Sequence, residues 1–170
     1  RQGFGADVDI TENWAIVGAH MAKKAFIFKK SDGVWDENPV HVIDGYTAEG
    51  PTFGASVAIT DNWALVSARD AKKVFVFKNN AGVWNTTAEC VFDHSTSPYN
   101  SNGFGINVAL TDSWAFVGAY GSNRAYMFAN RDGAWDTTAA FTFDKNGADG
   151  VFGRNVALTD KWALVGAHGA

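Results

Sequence analysis

The sequence has few of the residues that support covalent, metal-based or nucleic-acid chemistry. Its 170 residues contain a single cysteine, Cys90, so the chain cannot form an internal disulfide. The four histidines and this cysteine do not have the spacing of zinc ligands. The formal net charge is −4 and the basic residues are scattered, which argues against a nucleic-acid partner. No apolar run approaches the roughly 20 residues of a membrane-spanning helix. We therefore expect no metal, no cofactor, no nucleic acid and no membrane insertion.

A fourfold internal repeat is the main feature that the sequence does have. Hydrophobic residues make up 46% of the chain and aromatic residues 14%, enough for a substantial core. A Phe-Gly pair occurs at positions 4, 53, 104 and 152, and each pair is followed ten residues later by a tryptophan: Trp14, Trp63, Trp114 and Trp162. A fixed period of about 50 residues indicates a repeat architecture. The repeats are 4–52, 53–103, 104–151 and a partial 152–170, within one domain that spans 1–170.

Each repeat has the pattern of four antiparallel β-strands. Alternating and continuous apolar runs predict three strands in the first repeat, a Ser31-Asp32-Gly33 hairpin follows, and a fourth strand is predicted from Trp35 to Ile43. Pro39 cannot donate a backbone hydrogen bond, so we expect that fourth strand at the outer edge and the Phe-Gly strand innermost. Such a sheet is a blade, and the sequence predicts an all-β propeller with about three and a half blades present. In the second strand, Trp63 and Leu65 would face one neighbouring blade while Ala64 and Val66 face the other.

The repeated motif resembles a known family. The run Phe-Gly-x-x-Val-Ala-Ile/Leu-Thr-Asp-x-Trp-Ala-Leu-Val-Gly-Ala, followed by an aromatic-rich strand and Gly82-Val83-Trp84, is similar to the FG-GAP repeat. That resemblance implies a seven-bladed ring like that of integrin α subunits, and an extracellular or cell-surface location. The remaining blades would then come from a longer chain or from a partner chain. The family's Asp-x-Asp-x-Asp-Gly calcium loop is absent, because the corresponding turn is too short to surround a cation.

Candidate functional residues fall on one side of the predicted ring. The loops there vary in length and composition, and binding residues are commonly placed on such loops. The predicted ligand-binding residues are His20, Arg69, Tyr120, His168, Asp44, Asp93, Asp144 and Tyr99. The aspartates also suit a purely structural role as caps of the loops that follow them. Asp7 and Asp9 depart from the repeat pattern, and Asn85-Thr86-Thr87 is a weak N-glycosylation signal.

Three function classes follow from these patterns. The first is a non-enzymatic extracellular binding, adhesion or structural module with a protein or glycan ligand. The second is a carbohydrate-binding lectin with sites repeated between blades, for which similar repeats would supply multivalency. The third is an enzyme with a site in the channel, which is disfavoured because no general acid/base pair is visible.

Overall fold

The computed structural model of the chain describes residues 3–45, 50, 52–97, 103–145 and 151–169. The structure is all-β, with three antiparallel sheets that resemble propeller blades and a fourth two-stranded sheet. We call these sheets the first to fourth blades. The first contains β1 (Phe4–Ile10), β2 (Trp14–Ala19), β3 (Lys24–Ser31), β4 (Val34–Trp35) and β5 (His41–Asp44). The second contains β6 (Phe53–Ile59), β7 (Trp63–Ala68), β8 (Lys73–Asn80), β9 (Val83–Trp84) and β10 (Cys90–Asp93).

The third and fourth blades continue the same order. The third contains β11 (Phe104–Leu110), β12 (Trp114–Ala119), β13 (Arg124–Arg131), β14 (Ala134–Trp135) and β15 (Phe141–Asp144), and the fourth contains β16 (Val151–Leu158) and β17 (Ala163–His168). The Phe-Gly strands of successive blades contact one another, β1 with β6, β6 with β11 and β11 with β16. The predicted inner position of the Phe-Gly strand is therefore confirmed.

Successive blades pack through unlike faces. One face of the second blade carries Trp63, Leu65 and Val76, and it packs on Phe104, Val117 and other residues of the third blade in one buried cluster. The same arrangement joins the first blade to the second. At both junctions between complete blades a second-strand tryptophan meets an outer tryptophan of the next blade edge to face: Trp14 with Trp84 at 5.5 Å and Trp63 with Trp135 at 5.6 Å between ring centroids. These tryptophans belong to the core, as the repeat predicted.

The glycine of the Phe-Gly pair is required by close backbone approach. Gly54 has a φ of 85°, and a Cβ there would lie 2.4 Å from the carbonyl oxygen of Lys24 in the preceding blade. A side chain would therefore force the two blades apart. Gly153 has a φ of 83°, and a Cβ there would likewise clash with the carbonyl oxygen of Arg124 in the preceding blade.

The outer strand differs from the prediction of one continuous strand from Trp35 to Ile43. It is divided into β4 and β5, which both pair with β3. Between β4 and β5, Asp36 N–H donates to the carbonyl of Lys29 and Val40 N–H donates to the carbonyl of Ile27. The outer chain therefore takes four residue steps where the paired part of β3 takes two. Pro39 lies in this bulge, but the second and third blades have the same interruption without a proline. The interruption is therefore caused by the extra residues of the outer strand, and not by the backbone N–H that Pro39 lacks.

The first and last blades each leave an apolar face uncovered. In the first blade this face includes Phe4, Val8 and Ile10, all at least 60% exposed. In the fourth blade it includes Trp162 and Leu164, which are 79% and 70% exposed. The arc of blades is thus open at both ends.

Candidate ligand cleft

A cleft of about 390 Å³ lies between the second and third blades, on the side of the loops that vary among repeats. Its lining residues are Arg69, Asp70 and Lys72 from the second blade and Gly103 and Tyr120 from the third. Two of them, Arg69 and Tyr120, were predicted as ligand-binding residues from the sequence, and the structure places both in this cleft.

Two equivalent turns supply most of the lining. In each complete blade the connection between the second and third strands is a 3₁₀ turn, here Arg69–Ala71 and Tyr120–Ser122. The first turn ends at Lys72 in the left-handed conformation, with a φ of 57°, and Lys72 N–H donates to the carbonyl of Arg69 at 3.0 Å. The tight turn therefore brings the two cationic side chains, three positions apart, to the same cleft.

Gly103 makes room for the Tyr120 ring that lines the cleft. It precedes the Phe-Gly strand of the third blade, where the second blade has Thr52. Thr52 is buried, and its Oγ1 accepts a hydrogen bond from Asp70 N–H at 2.8 Å. Gly103 has no such side chain, and a Cβ there would lie 2.2 Å from Cε1 of Tyr120. The tyrosine ring thus lies directly against a glycine backbone and forms one wall.

The described residues that line the cleft carry a net charge of one positive unit. Arg69 and Lys72 contribute two positive charges, and Asp70 lies beside Arg69 with 3.4 Å between Oδ1 and Nε. Arg69 and Asp70 are both substantially solvent-exposed, so this ion pair adds little to stability. The guanidinium keeps donor groups available beyond the one facing Asp70, because arginine has five N–H donors in a planar fork.

The three strand-end aspartates pair with cations instead of lining the cleft. Asp44 forms an ion pair with Lys24, Asp93 with Lys73 at 3.6 Å, and Asp144 with Arg124 at 2.7 Å. In each blade the two partners face each other across the third and outer strands. Asp93 also accepts a hydrogen bond from Ser95 N–H, as a loop cap would. Asp93 thus makes the loop-cap contact that the sequence allowed, and all three aspartates form a cation pair that the sequence did not predict.

The other predicted residues are dispersed. His20 begins the 3₁₀ turn of the first blade, and His168 ends β17 in the open fourth blade. Tyr99 lies outside the described residues. Asn85 follows β9 and is half-buried, and its Oδ1 accepts a hydrogen bond from the Asn80 amide at 2.7 Å.

Sequence reasoning missed Lys72, Asp70 and Gly103 as cleft residues. Lys72 occupies the repeat position of Lys23 and Asn123, so nothing in its type distinguished it. The replacement of Thr52 by Gly103 was visible in the repeat alignment, but the position of the Tyr120 ring against that glycine is seen only in the folded chain. At the junction of the second and third blades, the His94 ring stacks on Phe104 at 4.3 Å and lies tilted against Tyr126, also at 4.3 Å. Burial lowers the pKa of His94.

Asp7 and Asp9 act between blades. Asp7 Oδ2 accepts hydrogen bonds from Ser56 Oγ at 2.7 Å and from Val57 N–H at 2.9 Å. Asp9 Oδ2 accepts one from Ile59 N–H at 2.8 Å, and burial raises the pKa of Asp9. These side chains therefore clamp the inner strand of the next blade. Within the described ranges, no group of three His, Cys, Asp or Glu side chains is placed to hold a metal ion.

Cys90 has the environment expected of a small packed residue. It is half-buried at the start of β10 and packs against the cluster between the second and third blades. Burial raises the pKa of its thiol to about 12, so the thiolate is scarce at neutral pH. In the part of the chain that the structure describes, no helix is long and apolar enough to cross a membrane.

The chain resembles solved structures without close sequence similarity. No protein-family model and no curated protein matches it. A candidate 6-phosphogluconolactonase from Bacteroides uniformis matches with a TM-score of 0.64 at 12% identity, over 89% of this chain and 46% of that one. Hsv2 from Kluyveromyces marxianus matches with a TM-score of 0.64 at 12% identity, over 96% of this chain and 52% of that one. The chain thus spans about half the length of these proteins, and the likeness shows the fold alone.

The comparisons correct the expected function. The sequence led us to an extracellular binding or adhesion module, with a lectin as the alternative, and this expectation was wrong. Neither of the similar structures is described as an adhesion protein or a lectin. The expectation had come from a repeat motif that specifies how blades pack, and packing residues carry no information about a ligand.

Proposed function

We propose that this chain binds a small anionic molecule in the cleft between its second and third blades. The observation that carries the proposal is the convergence of Arg69, Lys72 and Tyr120 on one cleft of about 390 Å³. That volume is within the range of small-molecule sites. A planar guanidinium, an ammonium and a phenol hydroxyl together suit a phosphate or carboxylate group carried on a small body.

We also propose that the arc is part of a closed ring of FG-GAP type. The resemblance of the repeats supports seven blades, of which this chain contributes three complete blades and the inner half of another. The other blades come from a longer chain or from a partner chain. In such a ring the cleft faces solvent beside the loops that connect successive blades.

The binding step uses this chain's residues as follows. Arg69 donates hydrogen bonds to the anionic group, Lys72 adds a second positive charge, and the Tyr120 ring covers the uncharged body of the ligand. Asp70 competes with the ligand for Arg69, since its carboxylate lies 3.4 Å from Nε. Asp70 therefore limits affinity and favours ligands that can bind two cations at once. We propose binding without a catalytic step, because the described residues that line the cleft include no paired general acid and base.

Calorimetric titration with a matched pair of sugars tests this proposal. Glucose 6-phosphate should bind and glucose should not, with inorganic phosphate as the minimal probe. Arg69→Ala should weaken binding roughly tenfold, as expected for a lost hydrogen bond to a charged group. Asp70→Asn should strengthen binding, because it removes the competing carboxylate.

Arg131→Ala is the matched control. Arg131 is an exposed arginine with its own aspartate partner, Asp136 at 2.9 Å, at the opposite side of the third blade. This variant should bind as the original chain does. Equal binding of glucose and glucose 6-phosphate, or equal loss in the Arg69 and Arg131 variants, would show that the cleft is not an anion site.

A further inference from the structure

The inner strands of the four blades line a channel, and two cavities lie along it. The first has a volume of about 240 Å³ and is lined, in every blade, by the two residues that follow the Phe-Gly pair. It lies towards the side of the variable loops, since this end of β1 pairs with the end of β2 that leads into the 3₁₀ turn. The second cavity has a volume of about 300 Å³ and shares Asp7 and Asn107 with the first, so the two adjoin.

The first cavity has charged residues of opposite sign on opposite walls. Arg154 occupies a position that holds alanine or isoleucine in the other three blades, and Asp7 occupies one that holds serine or asparagine. Their strands, β16 and β1, are separated by β6 and β11 in the series of contacting inner strands. Among the described residues, neither Arg154 nor Asp7 has an ion-pair partner. A guanidinium and a carboxylate therefore face one cavity without neutralising each other.

Amide side chains complete the polar lining beside the arginine. Asn107 Oδ1 accepts a hydrogen bond from Val156 N–H at 2.8 Å, and the two donors on its Nδ2 take no part in that bond. Asn155 follows Arg154 directly, and both side chains are exposed. A guanidinium with neighbouring amide donors suits a carboxylate, whereas the Asp7 carboxylate suits an ammonium group.

The second cavity adds an apolar wall to a second carboxylate. Its ionisable lining residues are Asp7 and Asp9. Burial raises the pKa of Asp9, and the neighbouring Asp7 carboxylate adds to that shift. A cationic group placed beside the two carboxylates would relieve their repulsion. An apolar body attached to that group would lose contact with water along the rest of the lining. That part of the lining includes Ala109, Leu110, Ala157 and Leu158.

We propose that the channel binds a small zwitterion with an apolar body, of the class of the aliphatic α-amino acids and their short peptides. Arg154 and the Asn107 amide bind the carboxylate, Asp7 binds the ammonium group, and the aliphatic side chain lies along the second cavity. Opposite charges on opposite walls favour a ligand that carries both charges over one that carries either alone. All these groups belong to inner strands, so the site faces the channel in the open arc and in a closed ring alike.

Calorimetric titration with a matched set of small molecules tests the proposal. Leucine should bind. Leucinamide lacks the carboxylate, 4-methylpentanoate lacks the ammonium group and glycine lacks the aliphatic side chain, so each should bind roughly tenfold more weakly or worse. Leucyl-leucine distinguishes the two sources of this chemistry: tighter binding than leucine assigns the site to short peptides, and weaker binding assigns it to free amino acids. Failure of both leucine and leucyl-leucine to bind, or equal binding of leucine and leucinamide, would overturn the proposal.

Two charge-removing variants assign the two ends of the ligand. Arg154→Gln should weaken leucine binding roughly tenfold or more and leave leucinamide binding unchanged. Arg154 is exposed, so this variant is expected to fold. Asp7→Asn removes the negative charge and keeps a carbonyl oxygen that can accept from Val57 N–H. It should weaken leucine binding and leave 4-methylpentanoate binding unchanged. Variants that weaken every probe equally would contradict the assigned orientation.

Arg131→Gln and Arg69→Ala are the matched controls. Arg131 is an exposed arginine paired with Asp136 at the outer hairpin of the third blade, and Arg69 lines the separate cleft. Both variants should bind leucine as the original chain does, and Arg154→Gln should leave glucose 6-phosphate binding unchanged. Loss of leucine binding in Arg69→Ala would place the zwitterion in the cleft and overturn the channel site. Equal losses in the Arg131 and Arg154 variants would also overturn it, because they would show a general effect of charge.

Discussion

The inner strands of the first and second blades have almost the same sequence and opposite environments. β1 reads Phe-Gly-Ala-Asp-Val-Asp-Ile and β6 reads Phe-Gly-Ala-Ser-Val-Ala-Ile. Phe4 is 60% exposed, whereas Phe53 is 2% exposed. Both strands pair with their own second strand in the same register, including the irregularity after the phenylalanine. The difference therefore arises outside the blade.

The preceding blade buries an inner strand, and the first blade has no preceding blade in this chain. β6 contacts both β1 and β2 of the blade before it. Stability in such arrays is a sum of terms within repeats and terms between nearest neighbours. The second blade has neighbours on both sides, and the first and fourth blades each lack one. The same substitution should consequently have different effects in different blades.

The largest contrast is expected for the second-strand tryptophans. Trp63→Ala removes a ring that is 4% exposed and should destabilise the chain by about 3–5 kcal/mol. Trp162→Ala, at the same repeat position, should cost less than about 0.5 kcal/mol in dilute protein because its ring is in water. Urea unfolding of both variants measures the difference. Equal losses would contradict the assignment of the open end.

The glycines of the Phe-Gly pairs should give the next largest contrast. Gly54→Ala combines a φ of 85° with a Cβ that would lie 2.4 Å from a carbonyl oxygen, so we expect a loss of more than about 2 kcal/mol. Gly5 has a φ of 81° but nothing within 4 Å of its added Cβ. Gly5→Ala should therefore cost only about 1 kcal/mol, from backbone strain. Thermal melting of the pair at low concentration tests whether the close approach or the dihedral angle dominates.

The side-chain hydrogen bonds that join the inner strands of successive blades should show a smaller contrast. Asp7→Ala removes the acceptor of the Ser56 hydroxyl and the Val57 N–H, and should cost about 1.5–3 kcal/mol. Asn155→Ala, at the same repeat position in the fourth blade, should cost less than about 0.5 kcal/mol in the monomer. Urea unfolding of the two variants measures the difference, and equal losses would contradict the role of these hydrogen bonds.

The smallest expected effect is a change in pH dependence at the second junction. Burial against Phe104 and Tyr126 lowers the pKa of His94 from its ordinary value of 6.5, with Asp93 opposing the shift. The neutral imidazole is favoured by folding, so its contribution is complete above pH 6.5 and is lost as the pH falls towards the folded-state pKa. His94→Phe should flatten the stability profile below pH 6.5.

Some pH dependence should remain in that variant. Burial also lowers the pKa of His41, which lies in β5 of the first blade. The double variant His41→Phe, His94→Phe should flatten the profile further. An unchanged slope in the single variant would show that His94 is accessible to protons in the folded chain.

The fold could be predicted from the repeat because each blade position occurs several times in the sequence. The Phe-Gly pairs and the tryptophans recur at fixed spacing, and their burial in the structure follows from that recurrence. The division of the outer strand was not predicted. All three complete repeats contain the same bulge, so the spacing from the outer tryptophan to the strand-end aspartate is the same in each and does not reveal it. Only two of the residues that line the cleft were predicted from the sequence. Arg69 and Tyr120 were visible as unlike residues at one loop position, whereas the contact of the Tyr120 ring with Gly103 depends on the folded geometry of the turn.

The hydrogen bonds between inner strands also protect the arc against aggregation. An edge strand with free N–H groups is a template for pairing with a foreign strand. In the second blade, the Val57 and Ile59 N–H groups are occupied by Asp7 and Asp9. In the first blade, the Val8 and Ile10 N–H groups are occupied by the same two aspartates through their Oδ1 atoms. The exposed N–H edge of these inner strands is therefore blocked by charged side chains against pairing with a stray strand.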